Sequence, residues 1–554
     1  MSLPRHLPPA EPDPVLLALF DQPERIPLAI RRQAEFFVFF ARTIFPLLER
    51  YRDRLGTVYC ADNGRPAWDP VRLLGVLILQ FVLRLPDRQA AESAQYDQRW
   101  RLALHLGAQD ATFDPSLLVS FRDRLVDGAQ AGLAFEAVLD FLVEQGWVPR
   151  RSRQRLDSTH VRGLLSAMNR LECARETIRL LLKDIEAAGI LPADWAGYWD
   201  RYVESKLDPR CGAPALEAKA AQAGEDMLAI WKDAAECWTI VQRDAFVLLQ
   251  RVFLENYAMD TAGYACKTRA QPTGAVHNPH EPEAQWSSKS TTKDKTWVGY
   301  KVRVAETAQE QPRQPGEPTA NFLTAMVTQN APASDKPGMA QALGEQKAMG
   351  LKAPSALYVD GAYVCSDSLN EALEQGRELR GPAPAPPDRG KVFTVEAFDV
   401  HVEDRYAICP SGQHSGNCSR LEEQSTGNVH YRIEWSKTVC ANCSLRDSCV
   451  SSGQDHRTIA VGELHSLLQD RRREMQTEAF KQEMRRRNGI EGTQSELVRG
   501  YGLRQARYRG YAKVRLQNYL IGAACNIRRL FRRLAWAALQ ARSVDAVGLP
   551  AIAG

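Results

Sequence analysis

Long apolar runs are missing from this chain. The longest, Leu73 to Leu83, is broken by Gln80 and flanked by Arg72 and Arg84. It falls short of the roughly 20 residues a bilayer span needs and reads as a buried helix. The N-terminus, MSLPRHLPPAEPDPVLLALF, lacks the charged start, apolar stretch and small-residue cleavage site of a secretory signal. A cytoplasmic protein with no membrane partner is therefore expected. No Walker phosphate loop, dinucleotide glycine fingerprint or HExxH motif occurs, so ATP, NAD and peptide substrates find no support. The lack of a fixed-period repeat excludes a solenoid or propeller. Acid is absent too, over one stretch: there is none from Leu497 to Val544.

That gap belongs to a marked asymmetry. The 554 residues carry 71 Lys+Arg against 67 Asp+Glu, a net of +4. Arg471 to Arg533 alone holds 17 basic and 5 acidic residues, a net of +12, leaving −8 for the rest. Such a segment points to a polyanionic partner, a solvated basic helix being the other reading. At 44% hydrophobic and 25% charged the composition is globular, and the length suggests about three or four domains.

Residues 1–150 read as an all-helical domain. Asp69-Pro70 and Asp114-Pro115 each set an N-cap and a first-turn proline before an apolar stripe. Residues 151–380 read as an α/β layer with a mixed sheet, interrupted by a helical insertion over about 165–290. Its strands are Arg155–Val161, Trp297–Val304, Phe322–Thr328 and Ala356–Asp360; the second and third form a hairpin whose connection carries Pro312, Pro315 and Pro318. A proline cluster from Pro382 to Pro387 opens a cysteine-bearing stretch over 381–465, and 466–554 is mainly helical.

Two aspartates stand out. Strand alternation puts Asp157, Thr159 and Val161 on one side and Leu156, Ser158 and His160 on the other, and Asp360 closes a strand just before a glycine. Ligands bind at the carboxyl ends of strands in open α/β sheets, and two carboxylates converging there suit divalent ions. A turn acid and a strand-end cap would explain the same residues. His160 faces away from Asp157 and reads as structural. Among twelve cysteines, seven, Cys211 among them, are scattered singly and read as small core residues. Cys409, Cys440, Cys443 and Cys449 give C-x30-C-x2-C-x5-C, a spacing that suits a tetrahedral structural Zn2+. Cys418 or His414 could replace one ligand, and reduced, unliganded thiols are the alternative. In the basic stretch Arg504, Arg507, Arg509, Lys513 and Arg515 are interleaved with Tyr501, Tyr508 and Tyr511. Cations there would contact DNA phosphates, and tyrosines would stack on frayed bases.

The chain resembles the bacterial insertion-sequence transposases of the DDE type, in particular the insertion-sequence-1182 family. The matching phrases are Asp157-Ser-Thr-His-Val161, Trp297-Val-Gly-Tyr-Lys-Val302, Val359-Asp-Gly-Ala-Tyr363 and the stretch from Ile490 to Leu530. The resemblance implies an α/β ribonuclease H-like catalytic core built from 151–380 and 466–554, interrupted by the helical insertion and the cysteine-rich insertion and preceded by an all-helical, DNA-binding N-terminal domain. It implies a catalytic triad of Asp157, Asp360 and Glu491 holding Mg2+ or Mn2+. Arg487, four residues before Glu491, would share its helix face and approach the scissile phosphate. Met484 and Val498 stand where the related insertion-sequence-4 signature has tyrosine and lysine, and Glu474, Glu478, Glu483 and Glu496 are competing acids. The implied activity is metal-dependent cleavage at the element's ends and strand transfer into target DNA. Its partners would be double-stranded DNA and a second copy of the chain, with no nucleotide cofactor. A catalytically inactive DNA-binding relic and a plain metal-dependent nuclease on the same core are the rival readings.

Overall fold

The computed structural model describes the chain apart from residues 1, 5–6, 23–24, 108, 209–211, 260, 262–264, 268–269, 289–295, 310–313, 387–389, 391, 425–426 and 548–554. Cys211, Pro312 and Pro387 thus lie outside the described residues.

Helix punctuation builds the N-terminal layer, α1 (Leu28–Phe39), α2 (Pro70–Leu83), α3 (Ser116–Asp127) and α4 (Leu133–Glu144). Asp69 accepts the Arg72 N–H while Pro70 fills the first turn of α2. Asp114, two residues before α3, accepts the N–H of Ser116, the helix's first residue. Arg84 ends α2 in the left-handed region, at φ 60°. Trp100 and Arg101 are buried, with Arg101 donating to the Gln95 and Asp110 carbonyls, so this stretch packs rather than faces solvent.

The central sheet begins with β1 (Arg153–Arg162). A helical excursion, α5 (Arg170–Ala187), α6 (Ala213–Ala234) and α7 (Asp244–Asn256), then builds a small core of its own around Leu181, Met227 and Phe253. The chain returns through β2 (Gln285–Ser288), β3 (Thr296–Thr307), β4 (Leu323–Asn330), β5 (Ala356–Tyr358) and β6 (Glu378–Arg380). β3 pairs antiparallel with β2, β4 and β1; β1 pairs parallel with β5, and β5 with β6. The sheet is mixed, as expected. Leu156, Ala305, Ala325 and Val327 face α8 (Asp335–Ala348) and α9 (Ser366–Glu374) on one side.

The other side meets α10 (Gly489–Tyr501) and α11 (Tyr511–Val547). Val161, Val302 and Val304 join Leu497, Leu520, Ile527 and the N-terminal residues Phe37, Leu77 and Phe135 in one cluster. The N-terminal helices and the C-terminal helix therefore share a core with the sheet. Asn526 fixes α11 to β4 with both ends of its amide, accepting the Leu323 N–H at 2.8 Å and donating to the Leu323 carbonyl at 3.0 Å. The cysteine-bearing stretch adds a separate antiparallel sheet of β7 (Asn417–Glu422), β8 (Val429–Glu434) and β9 (Thr458–Gly462). No helix among the described residues is long and apolar enough to cross a membrane.

Candidate active site

Alternation along β1 places Arg155, Asp157 and Thr159 on the side facing α10. Asp157 turns Oδ1 to the Ser158 N–H at 2.7 Å. Asp360 lies two residues beyond β5 rather than within it, capping the short turn Gly361–Tyr363 by accepting the Gly361 N–H at 2.8 Å. Their remaining oxygens converge on one cation. Nη2 of Arg487 stands 3.2 Å from Oδ2 of Asp157 and 3.8 Å from Oδ2 of Asp360.

Arg487 precedes α10 instead of sharing a helix face with Glu491. Residues 485–488 form a tight turn in which Ile490 N–H bonds Arg487 and Glu491 N–H bonds Asn488. The cause is Arg155, whose Nη1 donates to the Arg486 carbonyl at 2.9 Å and draws it out of the helical ladder. Gly489 starts the helix where a Cβ would fall 1.8 Å from that same Nη1. Glu491 lies exposed in the first turn of α10, with no hydrogen bond or ion pair from its carboxylate among the described residues. The competing acids are engaged: Glu474 with Arg380, Glu478 with Lys481, Glu483 with Arg486 and Glu496 with Arg529.

Behind the acids lies a buried network that the sequence reading missed. Glu306 is fully buried opposite Arg155 in the β1–β3 register, with Oε1 2.6 Å from Arg155 Nε. Its Oε2 takes Arg529 Nη1 at 2.8 Å, and the Thr493 hydroxyl reaches both oxygens at 2.8 Å. Arg529 continues to Glu496 at 2.8 Å. A buried carboxylate is tolerated only when fully paired, and the pairing here ties β1 and β3 to α10 and α11. The available signal was weak: Arg155 is two positions from Asp157, and Thr493 two from Glu491. Tyr363, in the matching phrase after Asp360, donates nothing to the acids; its hydroxyl accepts from Arg303 Nη1 at 2.7 Å. Burial pushes that hydroxyl up to about 12, with Arg303 opposing and Asp335 and Asp157 reinforcing the shift. The His160 ring lies against Trp297, 5.2 Å between centroids, in keeping with a structural part.

The predicted DNA-contacting residues divide. Arg504 and Arg509 are exposed. Arg507 is committed inside the fold, over the Phe81 ring and donating to the Leu85 carbonyl at 2.5 Å. Lys513 pairs with Asp123 at 2.6 Å and Arg515 with Glu345 at 3.6 Å. Stacking on bases is not open to the tyrosines as placed. Tyr501 is buried, Tyr508 lies beneath Arg122, and the Tyr511 hydroxyl donates to the Thr328 carbonyl.

Cys409, Cys440, Cys443 and Cys449 all line one small cavity of about 20 Å³. Cys440 and Cys449 are buried, and the Cys443 and Cys440 sulfurs accept the Leu445 and Arg457 N–H groups at 3.4 and 3.5 Å. Gly412, at φ 74°, turns the Cys-Pro-Ser-Gly loop back so that its N–H bonds the Cys409 carbonyl. Burial raises the Cys449 thiol; Arg457 opposes this, and the other three cysteines add to it. Cys418 lies on β7 and Cys365 just before α9, both apart from the cavity lining. Neither these thiols nor the acids close into a metal shell as they stand: among the described residues no group of three or more His, Cys, Asp or Glu side chains is placed to hold an ion.

Comparison with known families gives two matches. A model described as a transposase DDE domain matches residues 408–531, and one described as a transposase domain (DUF772) matches residues 29–124. The first spans Glu491 and the four cysteines but neither Asp157 nor Asp360. No curated protein and no solved structure matches the chain.

Proposed function

The chain belongs to the DDE-type transposases of insertion sequences, with the pair of domains typical of the insertion-sequence-1182 family, and on that premise we propose that it cuts DNA at the ends of its own element and joins the freed ends to a target. The observation that carries this reading is the convergence of Asp157 and Asp360 on Arg487, four residues before the unpaired carboxylate of Glu491.

The donor set fits hard divalent ions in kind, since it is all carboxylate oxygen. A cation already sits between two of the three acids, so the pocket is built for positive charge. Asp157, Asp360 and Glu491 would hold Mg2+ or Mn2+, which would supply Lewis-acid polarisation of the reacting phosphate. The chain's own part is positional. The Glu306 network fixes β1 against α10, and thereby Asp157 against Glu491. With the acids holding ions, Arg487 would be released to the phosphate oxygens, where its charge would favour the transition state. Two element ends must be held together, so we propose a dimer on DNA, acting in the cytoplasm on the bacterial nucleoid.

The four cysteines are proposed to bind Zn2+. What supports this is that backbone N–H groups reach two of the sulfurs, and that a cavity of about 20 Å³ lined by all four has room for one water-sized species.

The test is incubation of purified protein and Mg2+ or Mn2+ with DNA carrying the inverted repeats that flank its gene. Asp157→Ala serves as the control, with products mapped to the nucleotide. Cuts at the repeat ends that vanish in the variant, followed by joining to target, establish the reading. Cutting without joining would reduce the protein to a nuclease, and binding without cutting to a relic.

A further inference from the structure

The +12 of the basic segment is mostly consumed inside the fold. Arg472 pairs with Glu396, Arg529 with Glu306, Arg532 with Glu496 and Arg533 with Glu317, besides the pairs already described. Cations left without a carboxylate are therefore informative. Arg528 is one of them, and it does not stand alone. With Arg32 of α1 and Arg532 it lines a cavity of about 460 Å³ where α1, the end of α2 and α11 meet. The cavity floor is apolar, made of Leu83, Phe36 and Phe531, the last two in edge-on contact at 5.4 Å. Neither Arg32 nor Arg528 has an acidic partner among the described residues. The Tyr501 hydroxyl, within electrostatic reach of Arg528 and Arg532, is buried with no hydrogen-bond partner among the described residues.

Two guanidinia facing one notch, neither with a carboxylate of its own among the described residues, repel each other, and an anion shared by the notch relieves that. Guanidinia present a planar fork that matches phosphate oxygens. The notch also lies on a line from the acids. α10 carries Glu491 in its first turn and ends at Tyr501, a rise of about 15 Å between the two at 1.5 Å per residue. The Arg499 carbonyl near its end accepts from Arg84, the residue after Leu83. About 15 Å is the length of roughly four base steps of a double helix at 3.4 Å each.

We infer that the notch lined by Arg32, Arg528 and Arg532 is a binding site for the sugar-phosphate backbone of DNA, holding the strand beyond the site of cleavage. Arg32 and Arg528 each take one of two neighbouring phosphates of the strand, and the sugar edge between them rests on Leu83 and Phe531. The identity of the polyanion rests on the transposase reading; the site itself rests on the unpaired arginines. It joins the N-terminal helices to the catalytic core through the ligand as well as through packing.

The experiment measures binding of the full chain to a duplex carrying the flanking inverted repeats, across a series of salt concentrations. Wild type is compared with Arg32→Gln, Arg528→Gln, the double variant, Arg528→Lys and, as an exposed control on the cysteine-bearing sheet, Arg420→Gln. Each phosphate contact contributes about 0.9 to the slope of log K against log salt. The double variant is expected to lose close to two units of slope and at least tenfold in affinity near physiological salt. Arg528→Lys keeps the slope, and Arg420→Gln matches wild type. Thermal unfolding midpoints equal to wild type exclude misfolding. Should Arg528→Gln fail to fold, the exposed Arg32→Gln carries the test alone with an expected loss of about one unit. Wild-type slope and affinity in folded notch variants would overturn the site while leaving the transposase reading intact. Failure of wild type itself to bind the duplex would overturn both.

Discussion

Replacing Gly489 by alanine sets a methyl carbon 1.8 Å from Nη1 of Arg155 and 2.3 Å from its Cζ. Something must move, and the cheapest motion is that of the guanidinium. Arg155 then loses its 2.9 Å bond to the Arg486 carbonyl and its 2.6 Å contact with Glu306. Glu306 is fully buried. It keeps Arg529 and Thr493, so the damage stops short of orphaning the carboxylate. Disrupting a buried pair costs about 3–5 kcal/mol when one partner is removed outright; with two partners retained, about 3 kcal/mol is the working figure. Alanine is the better helix former by at most about 1 kcal/mol, leaving a net loss of about 2 kcal/mol. Were Arg155 free to swing aside, the same substitution would stabilise the protein by a few tenths of a kcal/mol or more. The sign decides. Urea unfolding of wild type, Gly489→Ala, Arg155→Ala and the double variant forms a cycle. Alanine at 489 should be destabilising with Arg155 present and neutral or stabilising without it. Cleavage by Gly489→Ala should fall as well, because Glu491 lies two residues on. A stabilised Gly489→Ala with full cleavage would refute the argument.

Arg487→Gln should bind Mn2+ several-fold more tightly than wild type, because the guanidinium between Asp157 and Asp360 no longer competes. Its cleavage should nevertheless be slower; calorimetric titration showing unchanged or weaker Mn2+ affinity would count against the competition. Protein purified without chelator should carry close to one zinc per chain, and Cys440→Ser should lose it; equal metal content in the two would remove the zinc site. The pH dependence of stability has a defined window. His465 is pulled down to about 4, chiefly by burial and then by Arg472. The unfolded chain therefore takes up the proton first, near its ordinary value of about 6.5. This share of stability is whole above that pH and declines toward 4, with a slope below about 1.4 kcal/mol per pH unit because the ring is partly exposed. His465→Asn should flatten the fall of urea midpoints between pH 6.5 and 4.5, and superimposable profiles would show that His465 contributes nothing.

What the sequence disclosed was whatever depends on neighbours along the chain. Asp69-Pro70 announces α2 through a cap and a fixed φ. Alternation in β1 puts Asp157 on the side away from Leu156, and the hairpin of β3 and β4 follows from two short apolar runs around a polar connection. What escaped depends on distant partners. Arg507 reads as a surface cation because composition counts charges and not their surroundings; in the fold it lies on Phe81, more than 400 positions away. Tyr501 and Tyr508 look like stacking residues for the same reason. Arg487 was expected on a helix face with Glu491. No local rule shows that Arg155 takes the Arg486 carbonyl and delays the helix to Gly489. Glu306 was the least visible, a single acid in a strand whose partners come from β1, α10 and α11.

These misses share a direction. Cations read as DNA contacts, such as Arg507, are taken up inside the fold, and the two aspartates with the plainest local signal each turn one oxygen to a backbone N–H and the other toward Arg487. This follows from how the three carboxylates are mounted. Asp157 rides on a central strand and Asp360 on a capped turn, both set by backbone pairing. Glu491 rides on a helix tied to the sheet through Thr493 to Glu306, through Gln494 to the Ser158 carbonyl and, by way of Glu496, through Arg529. Arg529 in turn belongs to α11, next to Arg528 in the notch. A single turn of α11 thus anchors the helix bearing Glu491, the proposed third acid, and presents Arg528 of the proposed notch, so any displacement of that turn is felt at both places. The long C-terminal helix, anchored along β4 by Asn526 and Asn518, is rigid enough to keep the two in register.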